Sequence, residues 1–293
     1  MTSIAVSGSE STQAVTHARR RGRRSLPWTV WVFGTVAGLM VLLGIFGPYI
    51  SGDVTAGNLQ DRLLGIGQQG HLLGTDGQGR DVLGRLVAGA RPSMIAAIVP
   101  VLAAGAIGSA VGIAAGMAGQ RVHSLIMRTL DVFYAFPAVL LAIAIAASLG
   151  NGTLNTVISL SIVLIPPIAR IAETETMQLQ GMDFMESARA SGAGSVAIAR
   201  RQILPNVLPA LIVYCTTLVG LALVFAGGLS FLGLGVAPPN PEWGQMINEQ
   251  RQYMFTNPTI ALIPAVVIFA ASLVFNLLGD GLRDALDIRR STR

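Results

Sequence analysis

The chain has no lysine. Its 20 basic residues are all arginine, set against 15 acidic ones. A Walker phosphate loop needs a Gly-Lys-Ser/Thr step, because the lysine reaches the terminal phosphates. This chain therefore holds no P-loop ATPase of its own. Cysteine is nearly absent too. Cys215 stands alone, so no disulfide closes within the chain and no cysteine-based metal site forms. His17, His71 and His123 lie far apart and make no spaced ligand set. Charge is scarce: 12% of the 293 residues are charged and 52% are hydrophobic, outside the balance of ordinary soluble domains. The net charge of +5 could suggest nucleic acid. However, no aromatic-interleaved basic patch of the kind single strands require is present, and nucleic acid is excluded as a partner.

What is present is a series of apolar runs near the length a helix needs to cross a bilayer. Residues 1–25 read as a polar, flexible tail that ends in an arginine cluster. Residues 26–50 hold the first span, Trp28 to Ile50. That run is too long for a signal-peptide core and has no convincing small-residue cleavage site. Residues 51–93 read as a polar outer loop, and residues 94–290 as a five-helix core. Spans are expected at Met94 to Met117, Phe133 to Leu149, Leu154 to Ala169, Val207 to Leu229 and Thr259 to Leu278. Pro166 and Pro167 are expected to end the fourth span. Ala104, Gly108, Gly112 and Gly116 recur every four residues, a spacing that lets another helix approach closely. That helix could belong to this chain or to a partner. The fold class is all-α: a polytopic membrane protein of six transmembrane helices with both termini in the cytoplasm. Arginine placement agrees. Only Arg62, Arg80, Arg85, Arg91 and Arg251 fall outside, and the others lie inside, as the positive-inside rule requires.

Between the fourth and fifth spans, residues 170–205 are polar and Ala-rich. Glu186 to Ala190 should form a short helix that Gly192 terminates. Ser195 can cap a second short helix to Leu204, which Pro205 would stop. This segment resembles the coupling loop of ABC-importer permeases. Glu186, Ala188, Gly192, Leu204 and Pro205 fall on that pattern, with Ser187 in place of an alanine. Three further blocks resemble the dipeptide, oligopeptide and nickel branch of that family, near its C-type subunit. They are Gly74-Thr75-Asp76 with Gly79-Arg80-Asp81, Ser230 to Gly235 followed by Pro238-Pro239 and Trp243-Gly244, and Asn276 to Asp287. Glu173 and Glu175 depart from the family, which is usually basic there.

The resemblance implies a permease subunit of an ATP-driven importer of di- or oligopeptides, with the fold of a type I ABC importer permease. It would be no enzyme and hold no cofactor; ATP and Mg would bind to partner subunits. The implied partners are a second homologous permease, two ABC ATPases and an extracytoplasmic substrate-binding protein. Coupling would fall to Glu186, Ser187, Ala188, Gly192, Leu204 and Pro205. Asp76, Arg80, Asp81 and Trp243 are candidates to face the binding protein, with Trp243 at the membrane interface. The span cores carry essentially no ionisable groups, so the path should be lined by apolar and small polar residues such as Ser148, Ser159, Ser161, Thr216 and Thr217. The same machinery could import a nickel chelate, haem or another small solute. A stand-alone ion-coupled carrier would want intramembrane charge or an inverted repeat, and neither is evident.

Overall fold

The computed structural model describes residues 28–290, with side chains as far as Leu286. The expected tail of residues 1–25 lies outside the described residues. Helix α1 (Trp28–Ile50) is apolar along its length and lies against the second and the last helix of the chain. A Cβ on Gly47 would stand 2.4 Å from the Val87 carbonyl oxygen, so that contact is backbone against backbone.

Helix α2 (Val82–Met117) starts well before Met94. Asp81 sets its start by accepting a hydrogen bond from the Gly84 amide at 2.6 Å, the N-cap arrangement that satisfies an otherwise orphaned donor. The loop before α2 therefore covers only residues 51–81, with one 3₁₀ turn at Leu59–Asp61. The expected third span is also different. Its first two residues end α3 (Gln120–Tyr134), which begins well before Phe133, and most of the rest forms α4 (Ala138–Leu149); the two helices meet at 85° around Phe136-Pro137. Pro137 restricts the residue before it to extended backbone and donates no hydrogen bond. Among the described residues, five helices are long and apolar enough to cross a membrane, or six if this bent pair is one span.

Helix α5 (Thr153–Gln180) runs straight through Pro166 and Pro167 rather than ending there. Packing overrides local preference at this point. The α5 segment beyond the prolines lies in the groove that the α2 glycines open. A Cβ on Gly112 would sit 2.2 Å from the Ala169 carbonyl, and one on Gly116 would sit 2.8 Å from Thr176. The four-residue repeat of small side chains therefore serves packing within this chain.

Two short helices follow, α6 (Asp183–Ala190) and α7 (Ser195–Ile198). Gly194 rather than Ser195 is the cap residue of α7, and its end is not where Pro205 was expected to stop it. A π turn, Ala199–Ile203, joins α7 to α8 (Leu204–Phe231). The Leu204 amide donates to the Ala199 carbonyl five residues back. Pro205 falls in the first turn of α8, where a missing N–H is tolerated, so the helical path continues from Ser195 to Phe231. Helices α9 (Trp243–Gln250) and α10 (Pro258–Arg290) complete the chain. Leu160, Ile168, Ile203 and Leu223 are among the side chains fully buried where the helices meet.

Candidate functional site

Chemistry-bearing residues gather at the two ends of the bundle, and the two clusters are built differently. At the α9 end, the loop of residues 51–81 folds over α9. Asp76 accepts hydrogen bonds from the amides of Gln78 and Arg80 at 2.8 and 3.0 Å, and its other oxygen pairs with Arg80 Nε at 2.6 Å. Arg80 Nη2 donates to Glu249 Oε2 at 2.5 Å, and Arg85 Nη2 reaches the same oxygen at 2.9 Å. Arg85 also donates to the carbonyls of Pro239 and Val54. Two arginines and two carboxylates thus form a neutral, buried quartet. Asp76 and Arg80 are each 1% exposed, so neither presents its side chain to a partner as expected. Asp81 is the more open residue, capping α2 and pairing with His71 Nδ1 at 2.8 Å.

Trp243 is also turned inward rather than placed at a membrane interface. It is 3% exposed, and its indole N–H donates to the Leu86 carbonyl at 2.9 Å. Beside it Glu242 caps α9, accepting from the amides of Gly244 and Gln245 at 3.0 and 2.9 Å and from the Ser93 hydroxyl at 3.1 Å. Burial pushes the Glu242 carboxyl above the usual carboxylate range, and these hydrogen bonds pull it back only in part. Arg85, Glu242 and Glu249 were missed in the sequence. Arg85 carried a signal, an ionisable residue at the start of an apolar run, a position that calls for a partner; Glu242 and Glu249, at the start of and within the polar helix α9, carried none.

The α6 end is open. Glu186, Ser187 and Gly192 are exposed, Ala188 is half-buried, and Met185 alone anchors α6 in the core. Gly192 adopts φ +75°. Its amide donates to the Arg189 carbonyl at 3.0 Å and the Ala193 amide donates to the Ala188 carbonyl at 3.2 Å, the paired bonds of a glycine-terminated helix end. Leu204 is half-buried and Pro205 exposed, as the first two residues of α8. Glu173 lies behind this end, bonded to His123 Nε2 at 2.9 Å, while Arg170 pairs with Asp131 and lies over the Tyr134 ring. The acidic departure at Glu173 is therefore engaged in holding α3 to α5.

Between α2 and the α7–α8 rod lies an open groove of about 830 Å³. Leu102, Ala106 and Ala110 form one wall, and Leu204, Leu208 and Ile212 the other. The hydroxyl groups expected to line a path do not line this groove. Ser148, Ser159, Ser161, Thr216 and Thr217 each donate to the carbonyl four residues back on their own helix, and none lines the groove.

A bundle of apolar helices with a polar helix pair at one end, a folded polar cap at the other and a groove between them defines a membrane-embedded transport subunit. The family described as "Binding-protein-dependent transport system inner membrane component" matches residues 108–292. Relatives agree over most of the chain. The "Glutathione transport system permease protein GsiD" of Pectobacterium atrosepticum is 44% identical over 227 residues, 78% of this chain and 75% of that protein. Its namesake from Escherichia coli O6:K15:H31 is 41% identical over 271 residues, 92% of this chain and 88% of that protein. An inward-facing structure of the MetNI methionine ABC transporter covers 69% of this chain and 97% of its own, with a TM-score of 0.58 at 21% identity. The chain belongs to the binding-protein-dependent ABC importer permeases, as a multi-pass component of the inner membrane. It is no enzyme and carries no cofactor; ATP is bound and hydrolysed by separate subunits, and a substrate-binding protein works with it.

Proposed function

We propose that this permease imports short peptides, with glutathione-like tripeptides the first cargo to test. The observation that carries this reading is the identity of 41% over 271 residues to a permease named for glutathione transport. A second, homologous permease forms the path with this chain, and two ATPases sit below. The α2–α8 groove supplies this chain's share of the path. Its apolar lining suits a conduit that leaves recognition to the binding protein.

Coupling falls to the α6 end, at the cytoplasmic face. Glu186 offers a polar contact to an ATPase, Ser187 and Ala188 a flat packing face, and Gly192 room for close approach. Nothing lies within 4 Å of a Cβ built on Gly192, so a side chain there starts in open space, although φ of +75° strains any residue that has one. Leu204 and Pro205 fix the exit into α8. ATP-driven closure of the ATPases moves α6, and the α7–α8 rod carries that motion into the bundle. A bias of a few kcal/mol is enough to switch a bundle with two stable states.

The test is reconstitution of the full assembly in proteoliposomes. ATP-dependent glutathione uptake is expected in the native transporter. Gly192→Trp should abolish it, whereas Gly192→Ala, which carries the same backbone strain, should keep it. Uptake that stays ATP-coupled in Gly192→Trp removes the docking role. Uptake of only non-peptide solutes, such as a nickel chelate, removes the peptide cargo.

A further inference from the structure

A second polar cluster lies near the α9 end, apart from the Asp76–Glu249 quartet. An open pocket of about 320 Å³ is bounded by the end of α1, the residues after it, the first turns of α2, the start of α5 and the segment before α9. Ser51, Arg91, Thr153 and Asn240 line it. Arg91 and Asn240 are exposed and Ser51 and Thr153 half-buried, and among the described residues none of the four side chains has a hydrogen-bond or ion-pair partner. The Ser51 hydroxyl oxygen is shut off from solvent and still unpartnered. A buried polar atom without a partner is rare enough in folded proteins to ask for an explanation.

The charges nearby are otherwise committed. Arg85 is spent on Glu249 and on the carbonyls of Val54 and Pro239. Asp53 accepts from the amide and hydroxyl of Thr55, and it does not line the cavity. Arg91 is thus the uncommitted charge on the cavity wall. Its planar guanidinium offers a fork of donors that matches two oxygens of one anion. Thr153 adds a hydroxyl donor and Asn240 an amide, and Ser51 adds a second hydroxyl by turning it out of its solvent-closed position. Cavities of this size with a few convergent polar groups are the usual form of small-ligand sites.

We propose that the Arg91 cavity is an oxyanion site, holding a carboxylate or a phosphate group through Arg91, Ser51, Thr153 and Asn240. Two sources fit that chemistry at the outer face: the carboxylate of an arriving peptide, or the headgroup phosphate of an outer-leaflet lipid beside α1. The assignment of this end to the outside rests on the importer reading.

Two measurements on wild type, Arg91→Gln and Arg91→Lys test the site and its source. Native mass spectrometry of the purified chain, with phosphatidylglycerol or phosphatidylcholine added, reads lipid retention. Uptake by the reconstituted transporter, with a tripeptide and its C-terminally amidated form, reads carboxylate recognition. A lipid site predicts about a tenfold loss of retained lipid in Arg91→Gln, the scale of one charged hydrogen bond, with Arg91→Lys nearer wild type. A peptide site predicts a similar rise in half-saturating tripeptide concentration and no change for the amide. Either result supports the oxyanion site. Arg91→Gln equal to wild type in both measurements overturns it. If Arg91→Gln does not fold, Asn240→Asp adds an anion at an exposed edge of the cavity and should lower the same readouts. A wild-type assembly with no ATP-driven uptake defeats the importer reading, and the lipid measurement on the chain still stands.

Discussion

The two polar ends of this bundle carry equally conspicuous sequence motifs and use them in opposite ways. At the α9 end, the charged side chains of Asp76, Arg80, Arg85 and Glu249 are turned inward and spent on one another. At the α6 end, Glu186, Ser187 and Gly192 face solvent, and the local fold is completed by backbone hydrogen bonds and by short side-chain bonds from Ser187, Arg189 and Ser191 to groups of the same segment, with no buried ion pair among the described residues there. A motif at the first end holds the protein together; a motif at the second leaves its side chains available. Exposure separates the two kinds, and spacing along the chain does not.

The sharpest way to break that contrast is to remove one member of the quartet. Arg80→Ala leaves Asp76 and Glu249 buried with too little positive charge. It should destabilise the fold by about 3–5 kcal/mol, the scale for breaking a buried pair by deleting one partner. A thermal melt in detergent checks it, and an unchanged melt would mean the quartet is not structural. The next test compares two glycines of like conformation. Gly79 and Gly192 have φ of +73° and +75°, a region that strains any residue with a Cβ by about 1–2 kcal/mol. A Cβ on Gly79 would also stand 1.8 Å from the Asn58 carbonyl oxygen. Gly79→Ala should therefore destabilise by about 1–3 kcal/mol more than Gly192→Ala, and equal melts would erase the distinction between the ends.

The smallest expected effect is a pH dependence at Glu242. Its carboxyl lies above the unfolded value of 4.5, so the fold binds this proton more tightly than the unfolded chain does. The stabilising share of the group is complete below that value and is lost as pH rises through the raised one. Glu242→Gln should flatten the fall in melting temperature above about pH 4.5, by no more than about 1.4 kcal/mol per pH unit for one titrating group. Parallel pH profiles for the variant and wild type count against it.

Much of this was legible in the chain. Apolar runs located α1, α8 and α10, because a span must be continuously apolar whatever it packs against. Gly192 was legible as a helix end because few residues adopt its conformation, and the motif blocks pointed to the importer permease family. Other features depended on contacts between distant segments. Pro166 and Pro167 are locally helix-ending, and only the close fit of α5 to Gly112 and Gly116 carries the helix past them. Trp243 reads as an interfacial aromatic until Leu86 is known to lie beside its indole. Asp76 and Arg80 look like surface charges because Glu249, their shared partner, is far away in sequence. The bend between α3 and α4 was missed because a run of apolar residues gives no sign of direction, and the polar residues before it read as a loop.

The π turn at Ala199–Ile203 has a mechanical consequence. From Ser195 to Phe231 the chain is a single strut of 37 residues, about 55 Å long at the usual rise per residue. No non-helical break separates the part that emerges beside α6 from the part that crosses the bundle, although Pro205 and Pro209 both lie within the strut. The wider coil at Ala199–Ile203 is the one place along the strut where the pitch changes. Torque applied at Ser195 can be taken up there as a small rotation, while an axial push passes through undiminished. The strut is therefore built to transmit thrust better than twist.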